Sequence, residues 1–212
     1  MWKKIKQFLL NILGDIKVYR HPFFMVYDPS TFLVKGYHTR HVIDTIRPGD
    51  VVMRMFRCYL DGFFIPGRYS HSAVYIGDGL VVHAIAEGVE TLDIIDFLRC
   101  DGCCVLRPDD EKQAALAVER AKAFIGTPYD FDFTDGTDAL YCHELTATCY
   151  KEFGVEKKEV RILGFKLKPR FTCDSFLENE HFGKVFEVSP KSHIGLTEGR
   201  RLFSQSIEKG VQ

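Results

Sequence analysis

The sequence predicts an α+β fold in which antiparallel strands and helices are segregated along the chain. Three observations carry that expectation. Short apolar runs separated by turn signals crowd between residues 47 and 106. The two well-signalled helices come only after residue 109. No repeat and no Pro/Gly-rich linker divides the chain. Of 212 residues, 46% are apolar and 13% aromatic, enough to build a packed core and to exclude a disordered, collagen-like or coiled-coil chain. With 28 Lys+Arg against 29 Asp+Glu the net charge is -1, so no basic excess exists to capture nucleic acid. Seven cysteines is an odd count, and without a secretory leader they read as reduced thiols in a cytoplasmic setting.

Taken in order, residues 1–20 read as an amphipathic N-terminal helix, with Trp2, Ile5, Phe8, Leu9, Ile12 and Ile16 on one stripe. Five Lys/Arg against one Asp there would let residues 1–18 make a peripheral membrane contact, although packing of the stripe on the domain is the commoner fate. A loop rich in Tyr, Pro and His follows over 19–46. Arg47-Pro48-Gly49-Asp50 turns the chain into a strand, Val51 to Arg57. Residues 58–70 read as a long loop in which Phe63-Phe64-Ile65 cover the core or a substrate. Ser72 to Gly77, an Asp78-Gly79 turn and Leu80 to Ala84 make a hairpin. Further strands are expected at Glu90–Ile95 and Cys103–Leu106. Helices are expected over Asp110–Phe124, ending at Gly126, and over Leu140–Phe153, ending at Gly154. Strands near Val160–Leu163 and Val185–Val188 flank a short helix at Asp174–Glu178. The domain thus spans 21–190, and 191–212 is a polar C-terminal tail.

Three residues stand out chemically. His71 opens one hairpin strand and His83 lies near the end of the other, so the two-residue turn brings them close enough for one ring to hold the other. Cys142 falls at the start of a helix, where free N–H groups and the dipole favour a thiolate. Cys, His base and polar orienter are the parts of a nucleophilic thiol enzyme, although buried Cys and strand His are more often structural.

Five fragments in order sharpen this: Arg47-Pro48-Gly49-Asp50-Val51-Val52, Tyr69-Ser70-His71-Ser72-Ala73-Val74-Tyr75-Ile76-Gly77, Val82-His83-Ala84, Gly126-Thr127-Pro128-Tyr129-Asp130 and Tyr141-Cys142-His143-Glu144-Leu145. Over residues 45–190 the chain resembles the YiiX-like, circularly permuted papain-fold amidases of the NlpC-type superfamily, to which lecithin:retinol acyltransferase is related. The resemblance implies an antiparallel sheet packed against helices that carry the nucleophile. It implies Cys142 as nucleophile, His71 as base, His83 as orienting residue and Tyr129 as a site tyrosine that helps hold the oxyanion. Two departures stand against the family pattern. The YiiX-like pattern usually has Glu where His83 stands, and His143 replaces a small residue after the nucleophile, where we read it as a neighbour favouring thiolate.

Other motifs have weaker claims. Cys100-Asp101-Gly102-Cys103 could give half a zinc site, but the second ligand pair is missing, so a turn is expected. Asp130 to Asp138 hints at calcium, yet its Gly and terminal acid are misplaced, so acidic caps before a helix are expected. The resulting reading is a cysteine amidohydrolase or peptidase acting on a small peptide, amide or lipid-ester substrate, without cofactor or metal. A lipid acyltransferase using the same acyl-enzyme and an inactive binding module on the same fold are the alternatives.

Overall fold

The computed structural model describes residues 16–20, 23–27, 32–56, 67–162 and 165–189. They fall in two compact units, Met1–Phe32 and Leu33–Gln212. In the first, β1 (Ile16–Arg20) pairs antiparallel with β2 (Phe23–Tyr27), Ile16 opposite Tyr27 and Arg20 opposite Phe23. This replaces the end of the predicted helix and the start of the predicted loop. Ile16, Val18, Tyr19, Phe23, Phe24 and Val26 are the branched and aromatic residues that favour extended backbone. The rest of the predicted leader helix (1–15), the aromatic loop 58–66 and the tail 191–212 lie outside the described residues.

The second unit is built on strict alternation along its strands. After a helix α1 (Gly36–Thr45) come β3 (Val51–Met55), β4 (His71–Gly77), β5 (Leu80–Ile85), β6 (Gly88–Asp93), a short helix α2 (Ile94–Phe97) and β7 (Gly102–Pro108). Then follow α3 (Glu111–Ala123), α4 (Cys142–Cys149), the hairpin β8 (Lys158–Ile162) and β9 (Phe165–Arg170), α5 (Cys173–Leu177) and β10 (Phe182–Val188). Six strands form an antiparallel sheet in the order β10-β7-β3-β4-β5-β6. Val51, Met53, Val74, Val82, Ala84, Cys104 and Leu106 face one side, where Ala117 and Ala121 of α3 and Leu145 and Cys149 of α4 close the core. Val52, Ala73, Val81, Cys103 and Val105 face the other, against Val42 of α1 and Ile94 and Phe97 of α2. Successive strand residues point to opposite faces, so each face needs its own helical cover. Among the described residues no helix is long and apolar enough to cross a membrane.

The helix α1 falls inside the predicted 19–46 loop. It lacks a Ser, Thr, Asp or Asn cap: His38 Nδ1 instead accepts the Lys35 N–H at 3.0 Å. By contrast α3 starts as expected, with Asp110 accepting the N–H groups of Lys112 (2.7 Å) and Gln113 (3.2 Å). The second predicted helix stops at Cys149 and continues as a 3₁₀ turn, Lys151–Phe153, closed by Gly154 in the left-handed region (φ 58°). The missed strand β9 carries Lys166, Lys168, Pro169 and Arg170, which hide its pattern.

Gly49 ties these layers together. Its N–H donates to Tyr75 O at 2.8 Å, its carbonyl accepts the Tyr150 hydroxyl, and its φ is +89°. A Cβ there would lie 2.6 Å from the Ala114 Cβ, whereas a Cβ at Gly79 (φ +74°) would meet nothing within 4 Å. Gly79→Ala should therefore cost only the positive-φ penalty, about 1–2 kcal/mol. Gly49→Ala should cost at least about 2 kcal/mol more, because steric overlap with α3 adds to it. Urea unfolding of both variants measures the difference, and equal losses would contradict this packing.

Candidate active site

The hairpin does what its turn residues require. Asp78 (φ 52°) and Gly79 (φ 74°) both take positive φ, which a tight two-residue turn needs. Gly77 pairs with Leu80, and Ala73 lies opposite His83. His71, two residues before Ala73, shares that face, and its Nε2 meets His83 Nδ1 at 2.9 Å. The rings meet edge-on, 5.2 Å between centroids, and both lie against Phe97 of α2. Behind His83, Glu90 occupies the cross-strand position on β6, with Oε1 3.6 Å from His83 Nε2. That is ion-pair range rather than a hydrogen bond.

Cys142 is the first residue of α4, whose N-cap Tyr141 supplies no side-chain cap. The first-turn N–H groups are therefore left without a side-chain acceptor. The Cys142 Sγ lies 3.9 Å from the carbonyl oxygen of Ser70, the residue before His71. No hydrogen bond joins Cys142 to His71 among the described residues. Cys142 keeps 6% of its surface exposed, while Cys100, Cys103, Cys104, Cys149 and Cys173 keep none. Burial pushes the Cys142 thiol up to about 11, against the opposing pull of the Ser72, His143 and Cys142 N–H groups and of Arg54. The helix start favours the thiolate as expected, but desolvation outweighs it, so the resting sulfur carries its proton. His71 is held well below its ordinary value by burial first, then by the charge of Arg54. Burial likewise brings His83 down to about 4.

Ser72, His143 and Arg54 complete the site, and of these the motifs give no role to Ser72 or Arg54. Ser72 points to the face opposite His71, and its Oγ bonds the Cys142 carbonyl (3.2 Å), Thr146 Oγ1 (2.9 Å) and His143 Nδ1 (2.8 Å). His143 is therefore a buried anchor of α4. Burial lowers its ring to about 4, so the ring lends no positive charge to a thiolate, and it is the His143 backbone N–H that favours one. Arg54 lies opposite His71 on β3, and the signal that marks it is one charge in the run Val51-Val52-Met53-Arg54-Met55. Tyr129 is partly buried against Phe131 (4.9 Å), close enough for the Cys142 charge to raise it further after burial has done so.

The weaker motifs resolve into local structure. Cys100 Sγ donates to the carbonyls of Leu98 and Gly102, closing the turn before β7. Asp130 accepts from Asp132 N (2.9 Å) and Thr134 N (2.6 Å), so it orders the loop rather than capping α4. Among the described residues, no three His, Cys, Asp or Glu are placed to hold a metal ion.

Comparison with known proteins bears on family and fold. The family described as permuted papain-like amidase enzyme, YaeF/YiiX, C92 family, matches residues 45–186. Protein OPG091 of Vaccinia virus (strain Western Reserve) is 25% identical over 166 residues, 76% of this chain and 91% of the relative. Protein OPG091 of Monkeypox virus shows the same 25% identity and the same coverage. The crystal structure of metalloprotein yiiX from Escherichia coli O157:H7 matches with a TM-score of 0.55 at 17% identity, covering 68% of this chain and 98% of that one. At that identity the likeness is one of fold.

Two predictions follow from the site's burial. Ser72→Ala leaves His143 Nδ1 and Thr146 Oγ1 short of a partner in a closed space, and should cost about 1–3 kcal/mol by urea unfolding. A loss below about 0.5 kcal/mol would show that the network does not hold α4.

The second concerns pH. His83 and His143 titrate at about 4 in the fold against 6.5 outside it, so the unfolded chain binds more protons between those values. Their contribution is whole above pH 6.5 and is lost as pH falls towards 4. Glu144 is pushed by burial up to about 7 from 4.5, which acts in the opposite direction over its own window. Between pH 6.5 and 5, His143→Gln should therefore flatten the fall in stability by up to about 1.4 kcal/mol per pH unit. Glu144→Gln should steepen it. Slopes that move in the same direction would contradict these assignments.

Proposed function

This chain belongs to the YaeF/YiiX family of permuted papain-like amidases, and on that premise we propose that it is a cysteine amidohydrolase using Cys142, His71 and His83. The observation that carries the reading is the 2.9 Å bond between His71 Nε2 and His83 Nδ1, made one residue along from the carbonyl that receives the Cys142 sulfur. With Nε2 committed to His83, the free nitrogen of His71 is Nδ1. His83 Nδ1 accepts the Nε2–H, leaving a lone pair on Nδ1, which is the tautomer a general base needs. Glu90 beside His83 Nε2 favours the proton there, and so supports the same tautomer.

The chemistry follows from the resting protonation. Both partners are neutral, so the S–H proton passes to His71 Nδ1 as the sulfur attacks an amide or ester carbonyl. The oxyanion takes the Cys142 backbone N–H and the Tyr129 hydroxyl. Return of the proton from His71 to the leaving nitrogen or oxygen breaks the carbonyl bond and leaves an acyl-cysteine. Water, deprotonated by His71, then adds to the thioester and releases the acid, restoring the thiol. The Thr146 and Ser72 contacts to the Cys142 carbonyl fix the start of α4, where the first-turn N–H groups have no side-chain acceptor.

With 4-nitrophenyl acetate as probe, the protein should release about one nitrophenolate per chain in a burst and carry one acetyl group on Cys142 by peptide mass spectrometry. Acetyl on another cysteine instead would overturn the assignment. His83→Ala should slow turnover about 10- to 1000-fold, and His83→Glu, which also accepts the Nε2–H, should recover much of it. The His71→Ala, His83→Ala pair should be little slower than His71→Ala alone, because the orienter then has nothing to orient. Turnover of His83→Ala at the unmodified rate would remove His83 from the scheme.

A further inference from the structure

Among the described residues Arg54, opposite His71 on β3, is a cation without a counter-ion. Arg68, Arg99, Arg107 and Arg120 each pair with a carboxylate: Glu187, Asp96, Asp50 and Glu152. Arg54 has none among the described residues. Its guanidinium lies 4.4 Å over the Phe97 ring and 5.3 Å from that of Phe56. Nη1 makes one long bond to Phe97 O at 3.4 Å, and Nε is buried without a partner. A guanidinium offers five N–H donors and binds oxyanions in a fork, so one long contact leaves most of that capacity unused. Holding an unpaired cation partly out of water is costly, and a site that does so is suited to a ligand of opposite charge.

Arg54 also has the right neighbours. The Ser70 N–H donates to the backbone carbonyl of Arg54 at 3.1 Å while Ser70 O receives the Cys142 sulfur at 3.9 Å, so the Arg54 backbone and the sulfur flank the same residue. Across the strand pair Arg54 faces His71. Its charge favours the Cys142 thiolate and disfavours protonation of both His71 and His83.

We propose that Arg54 binds an anionic oxygen group of the substrate, a carboxylate or phosphate, so that this enzyme acts on anionic amides or esters. The proposal rests on the cysteine-hydrolase reading and narrows it. The bound anion would also neutralise the charge that opposes proton uptake by His71. Substrate thereby supplies the missing counter-charge at the moment Cys142 transfers its proton.

The test uses two alkylating agents that differ in charge alone at the relevant end, iodoacetate and iodoacetamide. In both, a bond forms from the Cys142 sulfur to carbon, iodide leaves, and the thiol proton goes to His71. Relative to a free cysteine, the iodoacetate-to-iodoacetamide rate ratio at Cys142 should be raised about 10- to 100-fold, the range of one charge-assisted hydrogen bond. The ratio should fall to about that of a free cysteine in Arg54→Met and stay partly raised in Arg54→Lys. In the unaltered protein, sodium acetate or inorganic phosphate should slow iodoacetate saturably, while sodium chloride at equal ionic strength should not. The tighter of the two competitors distinguishes carboxylate from phosphate. An unraised ratio with fast iodoacetamide labelling would overturn the anion site and leave Cys142 as nucleophile. A raised ratio that persists in Arg54→Met would also overturn it, because the attraction then comes from His71. If Arg54→Met does not fold, the competition in the unaltered protein decides. Failure of Cys142 to label faster than the other cysteines would instead overturn the hydrolase reading itself.

Discussion

The Ser72 hydroxyl is the contact on which the geometry of the nucleophile depends. Strand alternation sends His71 to one face of the sheet and Ser72 to the other, so the proposed base and the anchor of the helix that carries Cys142 are consecutive residues. Ser72 Oγ reaches three groups of α4, including the carbonyl of Cys142 itself. A shift of α4 along its axis would break these bonds among buried groups, where an unmade bond is costly. The distance between Cys142 and the start of β4 is thereby set by hydrogen bonds rather than by apolar packing alone, which tolerates sliding more readily. The remainder of the fold serves that junction. Gly49 lets β3 and α3 approach, and Leu145 and Cys149 seat α4 on the sheet.

Burial sets the chemistry more strongly than the helix start does. A charge-separated thiolate and imidazolium would have to exist in the same enclosed space, and desolvation penalises both. The resting pair is accordingly neutral, with the thiol pushed up to about 11 and His71 pushed well down. Charge must then be created during the reaction, where fixed N–H donors at the uncapped start of α4 can meet it as it forms. This differs from a thiol activated in advance, and it makes the reaction depend on what the substrate brings with it.

How much of this was legible in the sequence depended on whether the signal was local. Asp78-Gly79 dictates a tight turn, and strand geometry then places His83 beside His71 without further information. Asp110 and Gly126 bound α3 in the same way. The helix α1 was not legible because its cap is a histidine, and β1, β2 and β9 were not because polar residues and neighbouring helical spacing mask their alternation. The role of Ser72 depends on α4, seventy residues away, and no local pattern states it. The proton affinity of Cys142 was likewise out of reach, because a motif shows the helix start but not the depth of burial. Arg54 was visible as a charge among apolar residues, yet whether a carboxylate faces it depends on strands distant in sequence, and among the described residues none does.

One departure from the family pattern, at His83, bears on the Arg54 site, which holds no counter-ion among the described residues. His83 stands where the resemblance read from the sequence implies a glutamate, and burial brings it down to about 4. The Arg54 guanidinium and the His83 ring both lie on Phe97, so a carboxylate in place of His83 would fall within the range of the guanidinium's charge. With imidazole there, the orienting bond to His71 is kept while the negative charge is given up. Glu90 does not restore it: its carboxylate sits on the far side of His83, about half exposed to solvent that screens it. The substitution therefore separates two tasks that one carboxylate would combine, orienting the base and neutralising the cation. The first stays with His83, and the second is left open at Arg54.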